Sequence, residues 1–479
     1  MALALVVELV VAASFGLGVQ ADAYFLALAV PLFVQEVVTA MVPQVLVPQL
    51  GIWYARDRID LAAGAAIAYG LALVFFCAIS GLCFFLIAPS LWAGLGSSFT
   101  ALIQSLLIPL VIVAAIWPLA QALKWLLNVQ RHYLLANSDW AVLSAVALLV
   151  LLMGRSGLGI AALAWGQVAG VCLYILFCLP CAMPNFRGAD PKEALKAAGM
   201  LLRPSPLPAL AAAAGSVPML VARMTVAALG PGLVSALSYA FRIRSSFERL
   251  LFLGTGTAGL SEAARLSWNP TERRKVLAQS LSLTLIASVP VAVLLVTGPS
   301  ELMGMVYSRG AFSAADATVA SRLLPWYGIG LAVSALGRSM QAMLVLRVQL
   351  GWAMILKLLA VTAEIATMLI AVDRWGIVAP GIGWLLGNVV SAAGIWTVLR
   401  SEASALLRLV APSGVRSVAA GLVALIVGQI GFRAVPGGGL LTLGVVLVTL
   451  LAYWITLLVL GSSEARLGFW TAGFRERRR

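Results

Sequence analysis

Ala62-Ala-Gly-Ala-Ala-Ile-Ala-Tyr-Gly-Leu-Ala-Leu-Val-Phe-Phe-Cys-Ala-Ile-Ser-Gly-Leu-Cys-Phe-Phe-Leu-Ile-Ala88 runs for 27 residues without one charged side chain. A helix needs only about 20 apolar residues to cross the roughly 30 Å hydrocarbon core of a bilayer. A soluble domain would have nowhere to hide such a stretch, because its surface must be wetted by charges that make up roughly 25% of an average chain. Here only 10% of residues are charged and 62% are hydrophobic, with a mean hydropathy of +1.03. The stretch is therefore read as a transmembrane helix, and the composition extends that reading to the whole chain as an all-α integral membrane protein.

Comparable apolar runs lie near residues 1–16, 22–50, 101–128, 139–154, 158–182, 206–229, 233–261, 276–298, 315–346, 350–372, 377–399, 415–431 and 439–460, which with 62–88 makes fourteen spans. The first lacks a basic leader and a small-residue cleavage site, so it reads as a span and not a removed signal. Loops on alternate sides differ sharply in charge: twenty Lys and Arg on one side, including Arg56, Arg58, Lys192, Lys196 and Arg203, face only Arg155, Arg309, Arg374 and Arg433 on the other. Cytoplasmic loops hold the excess of Lys and Arg, which puts both termini in the cytoplasm. Most of the net charge of +14 is thus a topology signal. The basic tail of 461–479, ending in the run Arg475 to Arg479, suits anionic headgroups, and no basic run of the chain is interleaved with aromatics, so no nucleic-acid partner is expected. All five cysteines fall in or beside apolar helices and the single His132 in a basic loop, so no disulfide framework, metal site or catalytic triad is expected. The chain is not read as an enzyme.

Landmarks recur in order at a separation of roughly 210 to 217 residues. Gly16-x-Gly18 is echoed by Gly230-x-Gly232, Ala88-Pro-Ser90 by Gly298-Pro-Ser300, and Leu107-Ile-Pro109 by Leu323-Leu-Pro325. Gly159, Gly166 and Gly170 are echoed by Gly376, Gly383 and Gly387. The pattern suggests two six-helix lobes in parallel repeat, residues 1–182 and 206–399, with two further helices at 415–460. A cleft between the lobes would be the natural substrate path. The glycine pairs at four-residue spacing read as close helix packing.

Ionisable groups inside spans cost a few kcal/mol each and are functional candidates by default, at about 2.5–3.5 kcal/mol on insertion scales. The basic set is Lys124, Arg223, Arg242, Arg244, Arg249, Arg322, Arg338 and Lys357, and the embedded acids are chiefly Glu8, Glu36, Glu248 and Glu364. Such a basic excess favours an anionic headgroup, and Arg is suited to a phosphate because its planar fork donates two parallel hydrogen bonds. Lys124, Arg249 and Arg322 also read as snorkelling helix-end cations, and Arg244 with Glu248 as a pair on one helix face. Arg223, Arg242, Arg338 and Lys357 remain the headgroup candidates, with Glu8, Glu36 and Glu364 as acids of the same cavity; Lys357 and Glu364, two turns apart on one face, also read as structural partners of neighbouring helices. Pro31, Pro43 and Pro48 fall within the second span and mark it as a hinge, a gate or a static kink.

Three segments carry a family resemblance. Tyr307-Ser-Arg-Gly-Ala-Phe-Ser-Ala-Ala-Asp316 resembles the ERGAF-T-x-x-D loop of the MurJ/MviN lipid II flippases. Phe15-Gly-Leu-Gly-Val-Gln-Ala-Asp-Ala-Tyr-Phe25 is similar to the family's FGAG-x-x-DAFF, and Gly232-Leu-Val-Ser-Ala-Leu-Ser-Tyr-Ala-Phe-Arg242 to its G-x-x-SAL-x-YADRL. The resemblance implies the fourteen-helix fold of the multidrug/oligosaccharidyl-lipid/polysaccharide exporter superfamily and movement of undecaprenyl-diphosphate-linked sugars by alternating access. It puts Arg242 at the headgroup and adds Asp22 and Glu8 as matching acids. Val7, Leu32, Gln35, Glu36 and Phe241 stand where the family carries other residues. The family's first span begins well upstream of Met1, so the first lobe is expected to be truncated at its start.

The expectation is thus a flippase in a bacterial inner membrane, carrying lipid II or a similar polyprenyl-diphosphate saccharide from the inner to the outer leaflet. No cofactor is called for, and coupling to the membrane potential or to a monovalent cation stays open. The bilayer is a partner, as are proteins of cell-wall or polysaccharide synthesis. Alternatives are a flippase for an exopolysaccharide or O-antigen repeat unit, a cation-coupled drug exporter using Glu8, Glu36 or Glu364, and a non-transporting scaffold.

Overall fold

The structure, a computed structural model, describes residues 2–92, 94, 96–186, 188, 190–265, 270–346, 350–434 and 439–462. Every described element is helical. Hydrocarbon offers no partner for a backbone N–H or C=O, so a spanning segment must satisfy those groups within itself. Eleven described segments are long and apolar enough to cross a bilayer, and one of them, Gly351–Val398, contains two helices. With the shorter Leu3–Phe15 and the more polar helix Leu233–Arg265, each of the fourteen expected spans has a helical counterpart.

The chain divides into two compact bodies, one of Met1–Ser235 with Arg309–Phe312, the other of Ala236–Ser308 and Ser313 onward. The first body contains α1 (Ala2–Phe15), α2 (Val19–Ala27), α3 (Ala29–Ala55), α4 (Ile59–Leu91), α5 (Ser97–Val129), α6 (Tyr133–Ala136), α7 (Asp139–Leu158), α8 (Ala161–Phe186), α9 (Pro191–Leu202) and α10 (Pro206–Ala227). Its core joins Val42, Leu46 and Leu50 of α3 to Ala62, Ala66 and Tyr69 of α4 and to Trp117 and Leu123 of α5. The repeat assigns residues 206–229 to the second half, but α10 packs on α2 and α3, presenting Ala214, Pro218 and Ala222 as its buried face.

The second expected span is two helices, α2 and α3, separated at Leu28. Pro31 accounts for the position of the break. Without an N–H it cannot bond to Ala27, four residues back, and its ring crowds that carbonyl. It therefore sits in the first turn of α3, where a missing donor costs nothing. Pro43 and Pro48 lie inside α3, which continues through both.

α11 (Leu233–Arg265) begins in the first body and continues in the second. The second body continues with α12 (Pro270–Thr297), α13 (Pro299–Tyr307), α14 (Ala314–Ser321), α15 (Leu324–Leu346), α16 (Leu350–Trp375), α17 (Ala379–Val398), α18 (Arg400–Ala434) and α19 (Leu440–Val459). α18 starts well before the expected residue 415, because Leu406 and Val410, one turn apart, are buried in a core with Leu277 and Leu281 of α12. α19 is fastened to the same helix: Tyr453 donates to the Ile286 carbonyl at 2.8 Å. The opposite faces, with Leu422, Ile426 and Ile430 on α18 and Leu447, Leu451 and Ile455 on α19, are exposed apolar surface suited to lipid.

The repeat is visible in the backbone. Gly159 and Gly376 have φ of +56° and +53° at equivalent turns. A Cβ on Gly166 would lie 2.7 Å from Cα of Ala147 on α7, and one on Gly383 would lie 2.6 Å from the carbonyl oxygen of Glu364 on α16. The four-residue glycine spacing thus brings backbones together in both halves. Gly383→Leu is expected to force α16 and α17 apart at an overpacking cost of about 1–3 kcal/mol or more. A lowered melting temperature in detergent checks it; an unchanged one would contradict the packing role.

Candidate functional site

The three segments that carry the resemblance meet at one end of the first body. Asp22, in the first turn of α2, is 1% exposed. One carboxylate oxygen accepts from the backbone N–H of Gly232; the other accepts from the Ser235 backbone N–H and hydroxyl, both at 2.7 Å. These donors open α11, so Asp22 acts as an N-cap supplied from a distant helix, satisfying N–H groups that the helix cannot bond itself and placing a negative charge at its positive dipole end. Gly232 has φ of +84°, and a Cβ there would come within 2.9 Å of the Leu17 carbonyl oxygen.

The third segment reaches the same end through the backbone. The Ala311 N–H donates to the Ala13 carbonyl at 2.8 Å, and Gly310, with φ of +61°, has the α1 backbone at Ala13 where a side chain would project. Downstream, Ser313 and Asp316 form a reciprocal capping box, with the Ser313 N–H donating to Asp316 at 2.9 Å and the Asp316 N–H to the Ser313 hydroxyl at 3.2 Å. Serine followed three residues later by an acid is the sequence signature of such a start.

The embedded cations fall into different surroundings. Lys124 does not snorkel: its ammonium lies 2.7 Å from Asp139, at the start of α7, with side chains only 13% and 2% exposed. Gln121 adds a long 3.4 Å contact to the same carboxylate. Arg223 is buried on α10, whereas Arg249 and Arg322 are exposed.

In the second body, Arg244 sits among aromatic rings. Its guanidinium carbon is 4.3 Å from the centroid of Trp384, 4.4 Å from Phe241 and 5.1 Å from Tyr327. Cation–π attraction strengthens as water is removed, to about 2 kcal/mol or more. Glu248 lies one turn on at 3.8 Å, the pairing that the spacing suggested. Gly330 leaves the room that the Trp384 indole occupies. The cage was hidden in the sequence because Tyr327 and Trp384 come from α15 and α17, far along the chain.

Arg242 is two residues before Arg244, hence about 200° around the helix, and faces away from the cage. It is half-buried, two turns past Ser235 on the same face. Lys357 and Glu364 are half-buried on one face of α16, with Gly387 of α17 packed against the Glu364 side chain. Glu8 is half-buried on α1 and Glu36 exposed on α3. Arg338 belongs to α15, and its side chain lies outside the described residues, as does the tail beyond residue 462. The structure thus brings Asp22 to the start of α11 and Arg244 to Glu248, with Glu364 of α16 within electrostatic reach of that pair, while Glu8, Arg223, Arg242 and Lys357 belong to α1, α10, α11 and α16.

Comparison with known proteins agrees with this architecture. The profile of the family described as lipid II flippase MurJ matches residues 11–435. The lipid II flippase MurJ of Burkholderia cenocepacia is 25% identical over 344 residues, which is 68% of this chain; the chain spans 66% of that relative, just under two thirds of its length. Among solved structures, lipid II flippase MurJ in an inward closed conformation aligns over 95% of both chains with a TM-score of 0.77 at 16% identity. An inward-facing multidrug resistance MATE family transporter of the MOP superfamily aligns over 84% of this chain and 95% of its own, with a TM-score of 0.69 and 16% identity. These two show a shared fold. With the profile covering most of its length, the chain belongs to the lipid II flippase MurJ family.

Proposed function

We propose that this protein translocates a polyprenyl-diphosphate-linked saccharide, lipid II or a close relative, from the inner to the outer leaflet of a bacterial cytoplasmic membrane by alternating access. The observation that carries the reading is family membership across residues 11–435. The excess of cations over acids within the spans supports it, as an anionic headgroup requires. Both termini are placed in the cytoplasm on the strength of the loop charges, and the inner surface of the membrane attracts such basic segments. Arg242 is the headgroup contact in this reading, with Arg223, Lys357 and Arg338 lending positive potential. An inside-negative potential helps each negative charge outward by about 2.3 kcal/mol per 100 mV, so no dedicated coupling ion is needed for the loaded step.

Complementation of a strain depleted of its lipid II flippase tests the proposal. Growth restored by this chain is the expected result. Absence of growth from a chain that is expressed and inserted would overturn lipid II as the cargo, and a flipping assay with other polyprenyl-diphosphate saccharides would then separate a different cargo from a scaffold.

A further inference from the structure

We propose that a cavity in the first body, built from the α1–α2 and α7–α8 turns, binds a phosphate-bearing lipid headgroup on the extracytoplasmic side. The cavity has a volume of about 710 Å³ and is lined by Ser14, Gln20, Arg155 and Ser156 together with the glycines of the two turns. Arg155 lies in the last turn of α7, where the helix carbonyls favour a cation. The wall offers a fixed positive charge, two hydroxyls, an amide and glycine backbone, and no carboxylate among the described residues lines it. That inventory recognises an anion rich in hydrogen-bond acceptors.

The charge around the cavity points the same way. The turns at this end of the first body, residues 16–18, 155–160, 228–232 and 309–312, contain two arginines, Arg155 and Arg309, and no acid. Asp22 keeps its charge, but both its oxygens are turned to the three donors at the start of α11, where the helix dipole offsets that charge, and neither lines the cavity. The bond from Ala311 to Ala13 holds the Arg309 loop next to Ser14, a lining residue. Two of the four cations that the loop charges assign to this side, Arg155 and Arg309, thus fall at this end of the first body.

Size and rim narrow the ligand. Binding cavities for small molecules run to about 300–1,000 Å³, so this one has room for a sugar phosphate or a phospholipid head and is far larger than a lone phosphate. Val19 and Leu158, 51% and 57% exposed, also line it and give an apolar edge along which an alkyl chain can leave. Two sources supply this chemistry: the polyprenyl diphosphate delivered by translocation, a source that rests on the flippase reading, and an anionic phospholipid of the outer leaflet.

Native mass spectrometry of the full-length chain in phosphatidylcholine-containing micelles, with added undecaprenyl diphosphate or phosphatidylglycerol, tests the site. The expected result is retention of an anionic lipid that Arg155→Ala weakens at least tenfold and Arg155→Lys largely keeps, while Arg433→Ala changes nothing. Tighter retention of undecaprenyl diphosphate than of phosphatidylglycerol identifies the product as occupant; the reverse order identifies the bilayer lipid. Arg242→Ala should remove a different bound diphosphate and leave the Arg155-dependent one, so failure of the translocation reading is told apart from failure of this site. Equal retention of both anionic lipids by wild type and Arg155→Ala, with melting temperatures matched, overturns the proposal.

Discussion

Arg242→Ala is expected to abolish complementation and to slow headgroup translocation by at least tenfold. A hydrogen bond to a charged group contributes about 1.5–3 kcal/mol, and each 1.4 kcal/mol is about a factor of ten in affinity. An arginine donating two such bonds to a diphosphate therefore accounts for one to several orders of magnitude. The fold should survive, because Arg242 is half-buried and faces away from the cage that anchors α11 beside it. Arg242→Lys keeps the charge without the fork and should fall between the two. A flipping assay in vesicles with matched protein levels decides the matter: wild-type rates from Arg242→Ala would remove this residue from the headgroup path.

Asp22→Ala is expected to produce the largest loss of stability of any single change at this end of the first body, where α2 meets the start of α11. It strands the N–H of Gly232 and the N–H and hydroxyl of Ser235, all engaged by one buried carboxylate. A buried donor left without an acceptor costs about 1–3 kcal/mol. Asp22→Asn retains one acceptor oxygen and loses the favourable charge at the helix start, so it should be milder. Ser235→Ala in the Asp22→Ala background should add little, since the two act on one interaction. Melting temperatures of the single and double variants supply the check, and strictly additive losses would show that Asp22 acts elsewhere.

Much of the fold was legible because the bilayer is an unforgiving solvent. It permits few charges in a span and forces each span to be helical, so hydropathy located a described helix for each expected span. The paired glycines announced close packing before any coordinates did, since little besides packing demands small residues four apart in an apolar helix. The break at Leu28 was half legible: Pro31 signalled a disturbance, but not that it would fall in the turn before the proline. Partnerships across long sequence separations were not legible at all. Asp22 was expected at the headgroup, yet its oxygens are committed to residues 210 and 213 positions away, and no local pattern encodes that. The same holds for Lys124, whose neighbour Asp139 lies across an intervening loop, and for Arg244, whose rings come from two other helices.

The bond between Ala13 and Ala311 has a consequence for biosynthesis. The helix that carries Ala13 cannot make this contact until nearly 300 further residues have been synthesised, which at roughly 5–20 residues per second takes about 15–60 s. Throughout that interval the early helices are inserted but unfinished, exposed to quality-control proteases and dependent on the insertion machinery for shelter. Completion of the N-terminal half is thereby made conditional on synthesis of the C-terminal half, so a prematurely terminated chain lacks a seal that the whole chain acquires.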